Sequence, residues 1–315
     1  MRSLFDSKSL RLIAAGIVVI NGFFPAVWIL LTSLKTETEL VSKPITYWPH
    51  NPTLQNYVQA FTDQPLLKYL GNSLAVALSA TVFSLLVSAL AAYAIARLNL
   101  KNRQLILTCI VASSMFPLVT LLVTAFSLLV SALAAYAIAR LNLKRRQLIL
   151  TCIVASSMFP LVTLLVPIFE TMRTFGLLNS YTALVLPYIV LNLPVCTLVL
   201  VSFFQSIPKD LENAAMIDGC TRMGALMRVV VPLAAPGVFT AGILAFVNSW
   251  DEFLLALSLN SNPNFRTLPV GITLYQGEFT FPWPIISAAL IVAIVPIAVL
   301  IAIFQERVVG GLTQG

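Results

Sequence analysis

Charge is what this sequence has least of. Only 10% of its 315 residues are Asp, Glu, Lys or Arg, where about 25% is usual in a soluble chain. A soluble domain needs a charged surface without large apolar patches, so that class is excluded. Disorder is excluded too, because disordered chains are poor in aliphatics and here 59% of residues are hydrophobic. The only histidine is His50. It leaves nothing for a multi-histidine metal site, and it lies in a Pro/Asn-rich loop as a solvated side chain. The four cysteines, Cys109, Cys152, Cys196 and Cys220, form no C-x-x-C pair, and three lie in apolar stretches. They read as small apolar residues rather than a disulfide or metal framework. No G-x-x-x-x-G-K-[ST] occurs, so this chain does not bind ATP through a P-loop. What remains is an all-α polytopic membrane protein, with residues 1–315 as a single transmembrane domain.

The charge-free stretches are 12–34, 69–96, 104–139, 147–169, 174–208, 229–250 and 279–305. A span needs about 20 apolar residues. Each stretch supplies that, and 104–139 is long enough for two short spans. Residues 12–34 follow Arg2, Lys8 and Arg11 and so resemble a signal peptide. The run is too long for one and lacks an A-x-A site before Lys35, so it is read as a retained first span.

With the N-terminus cytoplasmic, only Lys35, Lys43, Lys68, Arg173 and Arg266 of the 19 basic residues fall outside. The other 14 (19 less these five) lie on the cytoplasmic side. This positive-inside bias accounts for the net charge of +7 without a nucleic-acid partner. Both termini are then cytoplasmic. The longest outside loop, 35–68, holds Pro44, Pro49 and Pro52, which argue against a long helix there. Tyr47, Trp48 and Tyr57 are placed to sit at the membrane surface.

Residues 83–123 recur almost unchanged at 126–166, with Asn102 replaced by Arg145 as the one difference. Solenoid repeats diverge far more and occur three or more times. This is a recent segmental duplication or an artefact of sequencing. The repeated unit is a span, a basic turn and a span, so it adds a two-span hairpin and leaves later segments on their original side. The junction Leu118–Ala125 has no Gly, Asn or charge with which to turn in water. The functional core is therefore read as six spans, with the duplicated hairpin peripheral to it.

Between two spans lies the segment 206–236. Pro208 suits the first turn of a helix, and Asp210 and Glu212 place negative charge near its positive end. Leu211, Ala214 and Ala215 share a face. Gly219 suits the left-handed conformation that ends a helix, and a second helix is expected from Thr221 to Val230, stopped by Pro232. A short helix with a small-residue face, outside the membrane, suits docking in another protein's groove. An ordinary interfacial loop is the plainer alternative.

This segment resembles the EAA loop of permease subunits of binding-protein-dependent ABC importers. The family spacing, E-A-A, three residues, G, nine residues, I-x-L-P, falls on Asn213, Ala214, Ala215, Gly219, Val229, Val231 and Pro232. Asn213 replaces the glutamate, with Glu212 one position earlier, and valines replace Ile and Leu. Asp218-Gly219 is similar to the carbohydrate-importing branch. Thr53–Tyr57, Ala91–Leu98, Ser114–Pro117, Asn248–Leu257 and Gly311–Thr313 resemble the maltose-type second permease subunit.

The resemblance implies that the loop is a coupling helix inserted in a cleft of a separate ABC ATPase dimer. Ala214 and Ala215 would give close approach, Glu212 or Asn213 polar contacts, and Gly219 the turn. Asp218, Arg222 and Pro232 complete the candidate coupling set, with Arg222 and Arg228 equally suited to solvated positions. It also implies a second homologous permease subunit, an extracytoplasmic solute-binding protein, and a bacterial plasma (inner) membrane with its lipid. ATP and Mg would belong to the partner ATPase, with no cofactor bound and no enzymatic reaction carried out by this chain. The substrate expected is a sugar or sugar-like solute.

The candidate substrate path is Asn248, Trp250, Asp251 and Glu252. Helical spacing puts Asn248, Asp251 and Glu252 on one face, with Trp250 available for stacking, and ionisable groups in spans usually face a bundle interior or water. A helix end entering water, or a gate contact with the partner permease, is the alternative. Tyr275, Gln276 and Glu278 are candidates for touching the binding protein. A secondary transporter or channel not driven by ATP is the competing function; its usual inverted repeats differ from the direct repeat seen here.

Overall fold

A computed structural model describes residues 8–44, 46–97, 161–277 and 280–312. The helices in chain order are α1 (Lys8–Ser33), α2 (Glu37–Leu40), α3 (Gln55–Asp63), α4 (Leu66–Arg97) and α5 (Leu161–Thr174). They continue with α6 (Tyr181–Ser206), α7 (Lys209–Ile217), α8 (Arg222–Leu233), α9 (Ala235–Trp250), α10 (Leu254–Leu259), α11 (Leu268–Thr273) and α12 (Trp283–Leu312). Among the described residues there is no strand. In hydrocarbon a helix satisfies its own backbone groups, which is why apolar runs of this length take that form.

Three helices are long and apolar enough to cross a bilayer, in α4, α6 and α12, and the bent pair α8–α9 is a candidate fourth. Five expected spans correspond to α1, α4, α6, α9 and α12. The remaining span, 147–169, is described only from Leu161, where it forms the start of α5; the turns at Asn102 and Arg145 and most of the duplicated hairpin lie outside the described residues. The expected span at 229–250 needs correction. Its helix breaks at Ala234, with α8 and α9 bent by 81°, so α9 alone has 16 residues. At 1.5 Å per residue it is about 24 Å long, shorter than a typical hydrocarbon core of about 30 Å.

The described chain divides into two compact units. One comprises residues up to Leu70 together with Leu268–Ala298; the other comprises Gly71–Thr267 and the residues from Val299. In the first, the start of the loop after α1 is tied to the end of that helix. Asn56 donates from Nδ2 to the carbonyls of Ser33 and Lys35, at 2.8 Å each. Tyr57 is 2.8 Å from the Ser33 hydroxyl, so its ring is anchored rather than free at a surface. Lys35 is buried, donates to the Thr46 carbonyl, and lies 5.5 Å from the centre of the Trp28 ring, a cation–π arrangement. Tyr47 and Trp48 are exposed. Gly271 leaves room for Tyr69, whose ring a Cβ would overlap.

The second unit is built on ridges of small residues. Along α4, Val76, Ala80, Ser84, Ser88, Ala92 and Ala96 recur every four residues and are buried, whereas Leu78, Val82, Leu86 and Leu90 recur every four residues and are exposed. Small side chains let helices approach closely. Ser88 donates to the Leu193 carbonyl of α6 at 3.3 Å. On α9, Gly237, Ala241, Ala245 and Ser249 form a matching buried ridge against α6. Asn192 donates to Ser249 at 2.8 Å and to the Ala245 carbonyl at 3.3 Å. Cys196 donates to the Ala241 carbonyl at 3.6 Å. Asn192 therefore has partners inside an apolar interface, as a buried amide requires.

A candidate coupling elbow

Helix α7 starts one residue later than its sequence suggests, with Pro208 at the cap and in extended conformation. Its end follows the Schellman pattern. Gly219 has φ +91°, its N–H donates to the Met216 carbonyl at 3.1 Å, and the Cys220 N–H donates to the Ala215 carbonyl at 3.0 Å. Thr221 then caps α8, its hydroxyl accepting from the Gly224 N–H at 3.1 Å. A left-handed glycine followed two residues later by a capping threonine turns the chain sharply and makes the elbow.

The expectation that Pro232 stops the second helix is corrected: α8 continues through Pro232 to Leu233. Leu226–Val230 is a π turn. Proline lacks an N–H and its ring crowds the carbonyl four residues back, and a turn wider than α relieves that crowding. Ala225, Leu226 and Val230 are fully buried, whereas Met223 and Met227 are exposed.

Asn213, Ala214, Asp218, Gly219, Arg222 and Pro232 are exposed and Ala215 is half-buried. Leu211 and Ile217 are also exposed, Ile217 at 85%. The elbow thus presents a small, partly apolar surface. Glu212 does not belong to it, and its expected role as an outward polar contact is corrected. It is 7% exposed and faces the end of α4. The Tyr93 hydroxyl donates to Glu212 Oε1, and Arg97 Nε lies 3.0 Å from Oε2 as an ion pair. Only one face of a nine-residue helix can be outside, and the positions either side of Glu212 take it. Sequence reasoning assigned Tyr93 no role and counted Arg97 only toward orientation. The available signal was that they stand four apart at the end of a charge-free run.

The candidate path residues separate in the same way. Helix α9 ends at Trp250 with Asp251 as its cap, so the helical face expected to unite Asn248, Asp251 and Glu252 is broken. Asn248 and Asp251 are exposed. Trp250 is 3% exposed and stacks on Phe246, with centroids 5.5 Å apart and planes at 21°, so its expected role as a stacking surface is corrected. Glu252 turns inward. Its carboxylate accepts from the N–H groups of Leu255 at 2.7 Å and Ala256 at 3.1 Å, and from the Tyr188 hydroxyl at 2.6 Å. It holds the start of α10 rather than lining a path. Tyr275 is also turned in, donating to the Ala60 carbonyl. Gln276 is exposed, and Glu278 lies outside the described residues.

Residues 127–314 match the family described as binding-protein-dependent transport system inner membrane component. The chain is 63% identical, over all of its length and 95% of the relative's, to the sulfoquinovosyl glycerol transport system permease protein SmoH of Agrobacterium fabrum. It is 32% identical, over all of its length and 98% of the relative's, to the trehalose/maltose transport system permease protein MalG of Thermococcus litoralis. It is 36% identical, over 95% of its length and 93% of the relative's, to the trehalose transport system permease protein SugB of Mycobacterium tuberculosis.

A chain of a bacterial ABC transporter involved in the import of the acidic polysaccharide alginate superposes with a TM-score of 0.67, covering 95% of this chain and 98% of that one. At 16% identity that similarity speaks to fold. The competing reading, a carrier or channel independent of ATP, finds no support among these relatives. A family match over more than half of the chain, with a 63% identical relative spanning all of it, makes this protein a member of the binding-protein-dependent inner-membrane components, the permeases of ABC importers.

Proposed function

We propose that this chain is one of two homologous permeases in an ATP-driven importer for a sugar-like solute, in the class of glycosylated glycerols. The single observation that carries the solute class is the 63% identity to a sulfoquinovosyl glycerol permease over the full chain. A soluble binding protein delivers the solute from outside. ATP and Mg are held by a separate ATPase dimer, and both termini and the elbow are cytoplasmic.

The elbow is the coupling element. Its exposed Asn213, Ala214 and Asp218 dock in a cleft of the ATPase, with Gly219 setting the turn and Arg222 and Pro232 at its flank. Closure of the ATPase pushes the elbow, and α6 and α9, joined to its two ends, follow. Asn248 and Asp251, exposed at the far end of α9, face the solute path or the partner permease. Hydroxyl-rich ligands need acceptors and donors of this kind.

The test is a photo-crosslinker at position 214 in the assembled importer, paired with calorimetry of glycosylglycerols on the cognate binding protein. Crosslinks to the ATPase and tight binding of such a solute support the reading. Crosslinks only to lipid would remove the docking role, and binding of an unrelated solute would remove the substrate class.

A further inference from the structure

The end of α4 and the elbow are joined by groups distant in sequence. Arg97 and Glu212 have side chains only 6% and 9% exposed. A buried ion missing its partner is costly, so each holds the other in place. The Tyr93 hydroxyl, which donates to Glu212 on α7, also lies 3.3 Å from the Arg222 carbonyl oxygen at the start of α8. One phenol therefore touches both arms of the elbow. Among the described residues, the elbow is also linked by its covalent continuity with α6 and α9 and by the apolar contacts of Leu226 and Val230 in the core that also contains Ala92 and Ala96. Apolar packing resists separation but has no direction. The hydrogen bond from Tyr93 to the Glu212 carboxylate is directional, and Arg97 sets its opposite charge against the same buried carboxylate.

We propose that Tyr93, Arg97 and Glu212 form a clasp that makes α4 move with the elbow through each transport cycle. They are positioning residues and touch neither solute nor nucleotide. The clasp extends the stroke of the ATPase to a helix that the chain does not connect directly to the elbow. This rests on the reading of the elbow as the coupling element. The duplication supplies an internal control, since Tyr136 and Arg140 are the sequence equivalents of Tyr93 and Arg97. The geometry assigns the clasp to the first copy.

The test uses the complete importer with its four cysteines replaced and spin labels at Leu90→Cys on α4 and Asp210→Cys on α7, both exposed positions. The interlabel distance is measured without nucleotide and with a non-hydrolysable ATP analogue. With the clasp intact the distance should not change. In Glu212→Gln, or in the milder Tyr93→Phe should the former fail to assemble, it should change by about 2–5 Å, the scale of helix shifts in switching proteins. Arg97→Gln should behave like Glu212→Gln, and Arg140→Gln like the parent.

Movement in the parent, no movement in the clasp variants, or sensitivity to Arg140 in place of Arg97 would overturn the proposal. A third label on the ATPase separates this from failure of the coupling reading. If the analogue leaves the distance from the elbow to the ATPase undefined, docking itself is at fault.

Discussion

Phe203 places its ring where any side chain at Gly237 would have to go. The contact joins α6 to α9 just beyond the elbow. Gly237→Ala should lower the unfolding temperature in detergent, with an overpacking cost of about 1–3 kcal/mol. Phe203→Leu in the same chain should recover part of the loss. Additive losses would mean that the two positions do not interact.

Gly219 differs from Gly237 in kind. Nothing lies within 4 Å of a Cβ at Gly219, and only its φ of +91° is demanding. Substitutions there should rank by tolerance of left-handed backbone: Asn mildest, then Ala, then Val, with Ala costing about 1–2 kcal/mol. Uptake by the inserted protein should follow that order. Equal uptake by the Asn and Val variants would detach transport from the turn.

Ala214 is exposed on the elbow. Ala214→Arg should leave thermal stability unchanged and reduce co-purification of the ATPase by roughly tenfold, as expected when a bulky charge enters the centre of an interface. Full retention of the ATPase would move docking elsewhere.

Asp251 and Glu252 are neighbours with opposite surroundings. Glu252→Ala removes the acceptor of two backbone N–H groups and of the Tyr188 hydroxyl, and should cost about 0.5–2 kcal/mol as a lost helix cap. Asp251→Asn should leave the unfolding temperature unchanged while altering uptake or ATPase stimulation. The reverse result would exchange their roles.

In the loop after α1, the His50 amide and the Thr46 hydroxyl donate to Glu39, and the His50 amide is the main reason its carboxyl lies below the usual carboxylate range. A lowered value in the fold stabilises the loop above the ordinary carboxylate range. That contribution is lost as pH falls through the lowered value. Amide exchange at His50, corrected for intrinsic rate, should show protection fading in acid, and Glu39→Gln should remove the dependence. An unchanged pH profile in that variant would dismiss the carboxylate.

The spans at α4, α6 and α12 were legible because an uninterrupted apolar run has few alternatives in lipid. Gly219 was legible because the helix signals around it left one position for a left-handed residue. The inward turn of Glu212 was not. Neighbouring positions on a short helix are told apart only by what packs against them, and Tyr93 is 119 residues away. Trp250 and Glu252 misled for a related reason. Helical spacing was extended past Trp250, where the helix ends, so of the three residues assigned one face Asn248 and Asp251 are exposed and Glu252 is turned inward. The break at Ala234 was hidden because Pro232 looked sufficient to stop α8.

The π turn at Leu226–Val230 has a geometric consequence for the whole span. It carries one surplus residue relative to an α-helix of the same course. Loss of that residue would rotate everything after it by about 100° relative to everything before. The azimuth at which the Gly237–Ser249 ridge meets its neighbour is therefore a matter of phase. A relative lacking the surplus residue would need a differently carved partner helix to close the same gap.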